Sequence, residues 1–137
     1  MRSGSRRQGV IPIPIRICIA DDQEPVRGML RNLLAPFPDF SVVGESADGE
    51  STITLCREAK PDVLLLDISM PGMNGMDAAR ILSRLPAPPK IVTLSMHADA
   101  YLAAEILKAG AHAYLTKDCE SGEIPRAIRT VMDGGTY

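Results

Sequence analysis

Two hydrophobic periodicities alternate along this chain of 137 residues, and the alternation limits its possible folds more than any other feature. Short apolar runs such as 15–20 and 63–66 are typical of strands, and the unbroken run at 63–66 indicates a strand covered on both faces. Between the runs, apolar residues recur at helical spacing, for example at Val26, Leu30 and Leu33. The repeated order of strand and then helix predicts an α/β fold with a parallel sheet.

Five such units follow one another. The predicted strands lie at about 15–20, 40–46, 63–66, 91–94 and 111–115. The predicted helices lie between Asp22 and Pro36 and at about 48–60, 75–85, 99–109 and 121–134. Asp22 is the predicted N-cap of the first helix, Gly44 indicates that the second strand is at an edge, and Gly110 suits a left-handed helix end. These units fit a doubly wound five-stranded parallel sheet of flavodoxin-like order 2-1-3-4-5, with helices on both faces.

The composition, 45% hydrophobic and 23% charged, is typical of one globular domain, which we place at residues 15–137. Residues 1–14 are rich in Arg, Ser and Gly and predict a flexible tail. The net charge of −2 gives no reason to expect that this domain binds nucleic acid.

Cysteine usage and hydropathy indicate the setting in which this chain works. Three cysteines, at positions 18, 56 and 119, fit neither a disulfide framework nor a zinc site, so a reducing, cytoplasmic setting is expected. Prolines and an arginine interrupt the apolar stretch 10–20, and two acids follow it, which argues against a signal peptide. No apolar run is long enough to cross a bilayer, so no membrane partner is expected.

Polar side chains mark the carboxyl ends of four of the five predicted strands. Asp21 and Asp22 follow the first strand, and Asp67 follows the third. Ser95 ends the fourth strand, and Lys117 follows the fifth. Because the carboxyl ends of parallel strands meet at one edge of the sheet, these five residues are predicted to form one site, here named the carboxyl rim.

The residue types of the carboxyl rim suit phosphoryl transfer. Three nearby carboxylates repel one another and need a cation, and oxygen ligands without His or Cys favour Mg²⁺ over Zn²⁺. Lys117 adds a positive charge and Ser95 a hydroxyl donor. A nucleophilic carboxylate with a metal ion, an ammonium and a hydroxyl group provides what a transferring phosphoryl group requires.

Other interpretations of the same residues remain open at this point. Taken alone, Asp22 could be only a helix cap, and Lys117 only a solvated charge. An aspartate-nucleophile phosphatase of the haloacid dehalogenase type would carry a second Asp two residues after Asp67, where this chain has Ser69. A nucleotide or flavin binder would need a phosphate-binding loop after the first strand, where acids stand instead. A domain that serves only for interaction would not need a complete site.

Five motifs in order resemble the receiver domains of response regulators, the CheY-like superfamily. They are Asp21-Asp22, Leu64-Leu65-Leu66-Asp67, Met70-Pro71-Gly72 with Gly75, Ser95, and Tyr114-Leu115-Thr116-Lys117-Asp118. The resemblance covers residues 15–137, and within the superfamily the chain is most similar to the NarL/FixJ subgroup. It implies that Asp67 is the phosphoacceptor. It also implies that Mg²⁺ is held by Asp21, Asp22, Asp67 and the main-chain carbonyl of Ser69.

The resemblance further implies a switch and a set of partners. Ser95 and Lys117 would bind phosphoryl oxygens, and Tyr114 would change rotamer on activation. The phosphoryl donor would be a sensor histidine kinase, and the domain would catalyse its own phosphorylation and dephosphorylation rather than act as a conventional enzyme. Phosphorylation would favour a homodimer and regulate transcription through a DNA-binding domain that follows residue 137.

Two further residues carry expectations of their own. Pro125 lies later than the proline usual in this family, and we place it within or just past the first turn of the last helix, where its missing N–H costs little. His97, two residues past Ser95, could steer water or phosphate at the mouth of the site.

Overall fold

The computed structural model describes residues 13–72 and 74–137, so residues 1–12 of the predicted flexible tail lie outside the described residues. The strands are β1 (Ile15–Ala20), β2 (Phe40–Ser46), β3 (Val63–Asp67), β4 (Lys90–Ser95) and β5 (Ala113–Thr116). The helices are α1 (Glu24–Leu34), α2 (Gly49–Ala59), α3 (Gly75–Leu82), α4 (Ala100–Lys108) and α5 (Glu123–Met132). All neighbouring strands are parallel, in the order β2-β1-β3-β4-β5, so the predicted doubly wound sheet is confirmed.

Two hydrophobic layers, one on each face of the sheet, form the core. Alternate residues of each strand point to opposite faces, so Ile17 and Leu65 pack in one layer with α1 and α5. Leu64 and Ile91 pack in the other layer with α2, α3 and α4. Every residue of β3 is buried, as the unbroken apolar run predicts. Each fully buried leucine contributes roughly 2 kcal/mol relative to an exposed one, and this burial fixes the strand ends from which the carboxyl rim is built.

One free edge of the sheet is β2, and a bulge disrupts it. Ile17 pairs with Val42, but Cys18 pairs with Gly44, so Val43 is an extra residue in β2. A Cβ atom at Gly44 would lie 2.7 Å from Leu55 Cδ1, so any larger residue here would have to displace the Leu55 side chain of α2. The edge position predicted from Gly44 is confirmed.

The other free edge is β5, and the chain's last residue covers its start. The Tyr137 N–H donates to the main-chain oxygen of His112 at 3.0 Å. The Tyr137 hydroxyl donates to Glu123 of α5 and accepts a 3.3 Å hydrogen bond from Arg126 Nε. The segment after α5 therefore lies against the edge of β5.

The predicted helix ends agree with the structure at Asp48 and Asp99, which cap α2 and α4, but not at Asp22. Gln23 is the N-cap of α1 and has no side-chain cap, so the prediction of an Asp22 cap is wrong. The helix starts one residue later than that cap requires, because the Gln23 carbonyl accepts the first helical N–H groups. Pro125 is the third residue of α5, within the first turn as expected.

None of the helices in the described ranges is long and apolar enough to span a membrane.

Candidate functional site

Three carboxylates meet at the carboxyl rim because β1 and β3 are neighbours. Ala20 of β1 pairs with Leu66 of β3, so the residues that follow them lie side by side. One carboxylate oxygen from each of Asp21, Asp22 and Asp67 lies within 4.8 Å of the other two. Asp21 and Asp67 are 1% and 2% exposed, whereas Asp22 is exposed. The structure thus brings together the acids that the sequence predicted to converge.

Lys117 bridges the two buried acids. Its Nζ atom lies 2.9 Å from Asp21 Oδ2 and 3.3 Å from Asp67 Oδ2, and its side chain is 13% exposed. The Lys117 N–H donates to the main-chain oxygen of Ser95 at 2.7 Å, which ties the end of β5 to the end of β4. The long side chain can therefore reach β3 and β1 from a fixed base on β5.

One ammonium group does not balance three carboxylates. Burial, with help from the charge of Asp21, raises the pKa of Asp67 despite the opposing effects of the Ser69 N–H and Lys117. Burial opposes the charge on Lys117, but its close contact with Asp21 and the charge of Asp67 outweigh burial and raise its pKa. Asp21 Oδ2 contacts Lys117 as an ion pair in poor hydrogen-bond geometry, so this buried atom has no hydrogen-bond partner among the described residues.

The loop after β3 places Ser69 beside the acids. The Ser69 N–H donates to Asp67 Oδ1 at 3.0 Å. The loop closes on itself through Gly75, whose N–H donates to the Ile68 carbonyl at 3.2 Å. A Cβ atom at Gly75 would lie 2.6 Å from Ile68 Cα, so only glycine permits this closure. Metal binding by the Ser69 carbonyl stays a prediction.

The hydroxyl of Ser95 is bound to the loop that follows β4. Ser95 Oγ donates to the main-chain oxygen of His97 at 3.2 Å and accepts from the His97 N–H at 3.3 Å. Tyr114 also donates its hydroxyl to the His97 oxygen, at 2.6 Å. Both predicted switch residues therefore hold one loop through the main chain of His97, whose side chain is exposed.

Sequence reasoning missed two side chains that support the acidic turn. Arg27 of α1 donates from Nη1 to the main-chain oxygen of Asp21 at 2.6 Å. Its Nε donates to Glu45 Oε1 of β2 at 3.1 Å. A pattern search has no signal for the first contact, because a carbonyl group is present at every position. The contact with Glu45 joins residues that are far apart in the sequence, so no local pattern marks it either.

The donor atoms fit a hard divalent cation. All three side chains offer oxygen, and within the described residues the buried Asp21 Oδ2 has an ion pair with Lys117 but no hydrogen-bond partner. Mg²⁺ prefers carboxylate, carbonyl and water oxygens, and binds through few protein ligands. The acidic cluster can accommodate such an ion with the exposed Asp22 on its solvent side.

Comparisons with known proteins agree with this geometry. Residues 17–129 match the family model described as the response regulator receiver domain. The response regulator UvrY of Escherichia coli K12 is 39% identical over 123 residues, which are 90% of this chain and 56% of UvrY. The transcriptional regulatory protein LiaR of Bacillus subtilis is 38% identical over 120 residues, 88% of this chain and 57% of LiaR. The chain spans about half the length of the curated relatives it matches.

Solved structures give the same result. A LuxR-family two-component response regulator from Aurantimonas has a TM-score of 0.85 at 32% identity, covering 90% of this chain and 88% of that one. The NarL signal receiver domain from Mycobacterium tuberculosis has a TM-score of 0.85 at 31% identity, covering 90% and 99%. These matches support the NarL/FixJ subgroup predicted from the motifs. With its doubly wound sheet and the acids at its carboxyl rim, this chain belongs to the family of response regulator receiver domains.

Proposed function

We propose that Asp67 accepts a phosphoryl group from a phosphohistidine of a sensor histidine kinase, with Mg²⁺ bound beside it. The observation that carries this proposal is the position of Asp67: a buried carboxylate that ends β3 within 4.8 Å of two other acids and 3.3 Å from an ammonium group. Such an arrangement is costly unless a further positive charge offsets the repulsion among the acids.

The transfer is an in-line displacement at phosphorus. The Asp67 carboxylate forms the new oxygen–phosphorus bond while the phosphorus–nitrogen bond of phosphohistidine breaks, so the imidazole leaves and an acyl phosphate forms. In dephosphorylation, water attacks the phosphorus atom of the acyl phosphate. Asp67 leaves as a carboxylate, and inorganic phosphate is released. Most of the rate enhancement in such reactions comes from positioning and charge compensation, which a rigid rim supplies.

Four residues would hold the metal ion: the carboxylates of Asp21, Asp22 and Asp67, and the carbonyl of Ser69. When bound, Mg²⁺ would offset the charge of the acids and of the incoming phosphoryl oxygens. Lys117 would then exchange part of its contact with Asp67 for a phosphoryl oxygen. The tether between the Lys117 N–H and Ser95 supports this role, because it keeps both side chains at the rim.

The readout we propose is a switch between Ser95 and Tyr114. Ser95 Oγ would release His97 and donate to the phosphoryl group, and Tyr114 would move into the space that the loop leaves. The shared contact of both residues with the His97 carbonyl supports this coupling, because moving the loop changes both bonds at once. A tenfold shift in the equilibrium requires about 1.4 kcal/mol, within reach of one charge-assisted hydrogen bond.

The remaining proposals concern the full-length protein. We propose that it works in the cytoplasm, forms a homodimer on phosphorylation and regulates transcription through a following DNA-binding domain. Sedimentation with and without beryllofluoride tests the dimer. DNA binding should require the following domain, so sequence-specific, salt-sensitive binding by residues 1–137 would contradict this assignment.

Acetyl phosphate with Mg²⁺, followed by intact-mass measurement, tests the phosphoacceptor. The unmodified protein should gain one phosphoryl group, and Asp67→Asn should gain none while keeping its fold. Asp62→Asn is a matched control, since Asp62 adjoins the opposite end of β3 and should not affect labelling. Undiminished labelling of Asp67→Asn, or no labelling of the unmodified protein, would contradict the proposal.

Hydrogen exchange with beryllofluoride, a phosphoryl mimic, tests the switch. Protection should change from Ser95 to Tyr114 as well as beside Asp67. Changes confined to the acids, together with Ser95→Ala behaving like the unmodified protein in self-association, would remove the switch and leave the phosphoacceptor in place.

A further inference from the structure

We propose that Arg27 is a positioning residue for the metal site: it holds the main chain at Asp21 so that the exposed Asp22 points its carboxylate at the ion. The inference rests on the proposed function, because it assumes that Mg²⁺ binds to the acids. It assigns a role to the positively charged Arg27 beside a metal site, although charge attraction to Mg²⁺ would favour only acidic residues there.

The turn after β1 is fixed at two points. Asp21 Oδ1 accepts a hydrogen bond from the Gln23 N–H at 2.9 Å, and the Asp21 main-chain oxygen accepts one from Arg27 Nη1 at 2.6 Å. The carbonyl contact fixes the plane of the peptide that joins Asp21 to Asp22. That plane determines the direction in which the Asp22 side chain leaves the backbone.

Asp22 depends on this support because its own side chain has none. Within the described residues, its carboxylate makes no hydrogen bond and no ion pair, and the residue is exposed. Asp21 and Asp67, by contrast, are buried and contact Lys117. Of the three acids, Asp22 is therefore the one whose position depends most on the backbone.

Arg27 is itself held in place. Its side chain is 16% exposed, and its Nε donates to Glu45 Oε1 at 3.1 Å. Glu45 lies on β2, directly opposite Ile19 of β1, and also accepts hydrogen bonds from Arg31 at 2.7 Å. The guanidinium group thus joins α1, the end of β1 and β2, and its planar fork is the geometry that two separate acceptors require.

A positioning role and a charge effect predict opposite results. A positive charge near a cation site repels the ion through space, so removal of Arg27 by itself would strengthen Mg²⁺ binding. Loss of the carbonyl contact would weaken it, because outer contacts of metal ligands typically change affinity by about tenfold or more. The direction of the change therefore separates the two roles.

Isothermal titration of the full chain with MgCl₂ tests the inference without measuring phosphorylation. Arg27→Ala should bind Mg²⁺ about tenfold more weakly. Arg27→Lys keeps the charge but offers one nitrogen in place of the two that contact Glu45 and Asp21, so it should hold the Asp21 carbonyl less firmly and also bind Mg²⁺ more weakly. Arg31→Ala is the matched control: it removes a guanidinium from the same Glu45 but none from Asp21, and should bind as the unmodified protein does.

Thermal unfolding of each variant shows whether it is folded, and Arg27→Lys decides the question if Arg27→Ala does not fold. Weaker binding by the folded Arg27 variants alone supports the inference. Equal or tighter binding by them, while the unmodified protein binds normally, overturns it and leaves the proposed function intact. No saturable Mg²⁺ binding by the unmodified protein would overturn both.

Discussion

The two ends of the sheet carry similar charged residues, but the partners of those residues differ. At the starts of the strands, Arg16, Asp62, Lys90 and His112 form what we call the amino rim. There the side chains of Arg16, Asp62 and His112 bind the main chain. At the carboxyl rim, two of three acids contact one lysine, and the buried Asp21 Oδ2 has no hydrogen-bond partner among the described residues.

At the amino rim, three side chains form hydrogen bonds with main-chain groups. Asp62 Oδ2 accepts the Arg16 N–H at 2.8 Å, and Arg16 Nη1 donates to the carbonyls of Ala59 at 2.7 Å and Lys60 at 2.9 Å. The Ile91 N–H donates to His112 Nδ1 at 3.1 Å. Each of these side chains pairs with a backbone group at the end of a strand or helix, where that group would otherwise lack a partner.

The contrast shows how to separate structural from functional charges in one fold. Charges whose partners lie on the main chain stabilise the protein, and nothing further is needed to complete them. Charges left in excess, with a raised pKa at Asp67 because of burial, are those that the proposed metal ion would offset. Four sets of measurements of unfolding free energy test this contrast.

Removal of Lys117 should have the largest effect. Lys117→Met leaves two buried carboxylates without their cation, so the metal-free protein should lose about 3 kcal/mol of unfolding free energy. Urea unfolding measures this loss, and saturating MgCl₂ should restore part of it. Lys108→Met, at an exposed lysine, is the control and should change stability by less than about 0.5 kcal/mol. An equal effect of both variants would contradict the contrast.

At the amino rim, Asp62→Ala should cost about 1–2 kcal/mol, because the Arg16 N–H loses its acceptor. Asp62→Asn keeps an acceptor oxygen and should cost less. Neither change should alter Mg²⁺ affinity, which calorimetry checks in the same samples. A weakened metal site in either variant would show that the two rims are coupled.

Acid should weaken the amino rim through His112. Burial, followed by the charge of Lys90, lowers the pKa of His112 below its ordinary value of 6.5. The unfolded chain therefore takes up the proton first, and stability present above pH 6.5 is lost as pH falls through the folded pKa. Protonation of Nδ1 also removes the acceptor for Ile91, so the loss should be on the order of 1 kcal/mol.

The measurement for His112 is urea unfolding from pH 8 to pH 5, compared with His112→Asn. The difference in stability between the two proteins should shrink as the pH falls. A constant difference across that range would show that His112 does not titrate differently in the folded protein.

Removal of Asp22 should have the smallest effect on metal-free stability. Asp22→Ala deletes an unpaired acid beside two others, so stability should hold or rise by up to about 0.5 kcal/mol. Mg²⁺ affinity should still fall, by about tenfold or more. A clear loss of metal-free stability with unchanged affinity would place Asp22 among the structural charges.

The sequence predicts the strands and their ends well because burial leaves a direct pattern. The run 63–66 is apolar on both faces and is buried on both faces in β3. Gly44 marks an edge strand, where it follows the bulge and lies close to the Leu55 side chain of α2. The convergence of Asp21, Asp22 and Asp67 follows from strand order alone.

Contacts to the main chain are not predictable in the same way. Asp22 is a good N-cap by residue type, yet the helix starts one residue later. Arg27 binds a carbonyl, which no side-chain pattern marks. The present hydrogen bonds of Ser95 to His97 depend on the path of one loop, and a serine that ends a strand is compatible with several paths.

The two edges of the sheet, one disrupted by a bulge and one contacted by Tyr137, affect how copies of the molecule meet at high concentration. A free strand edge can pair with a strand of another copy and begin aggregation. Here the bulge at Gly44 twists one edge, and Tyr137 occupies the start of the other through His112. Continuation of the sheet into a second copy would require straightening β2 or displacing Tyr137. A homodimer of the kind proposed above is therefore expected to form through helical faces and not by extension of the sheet.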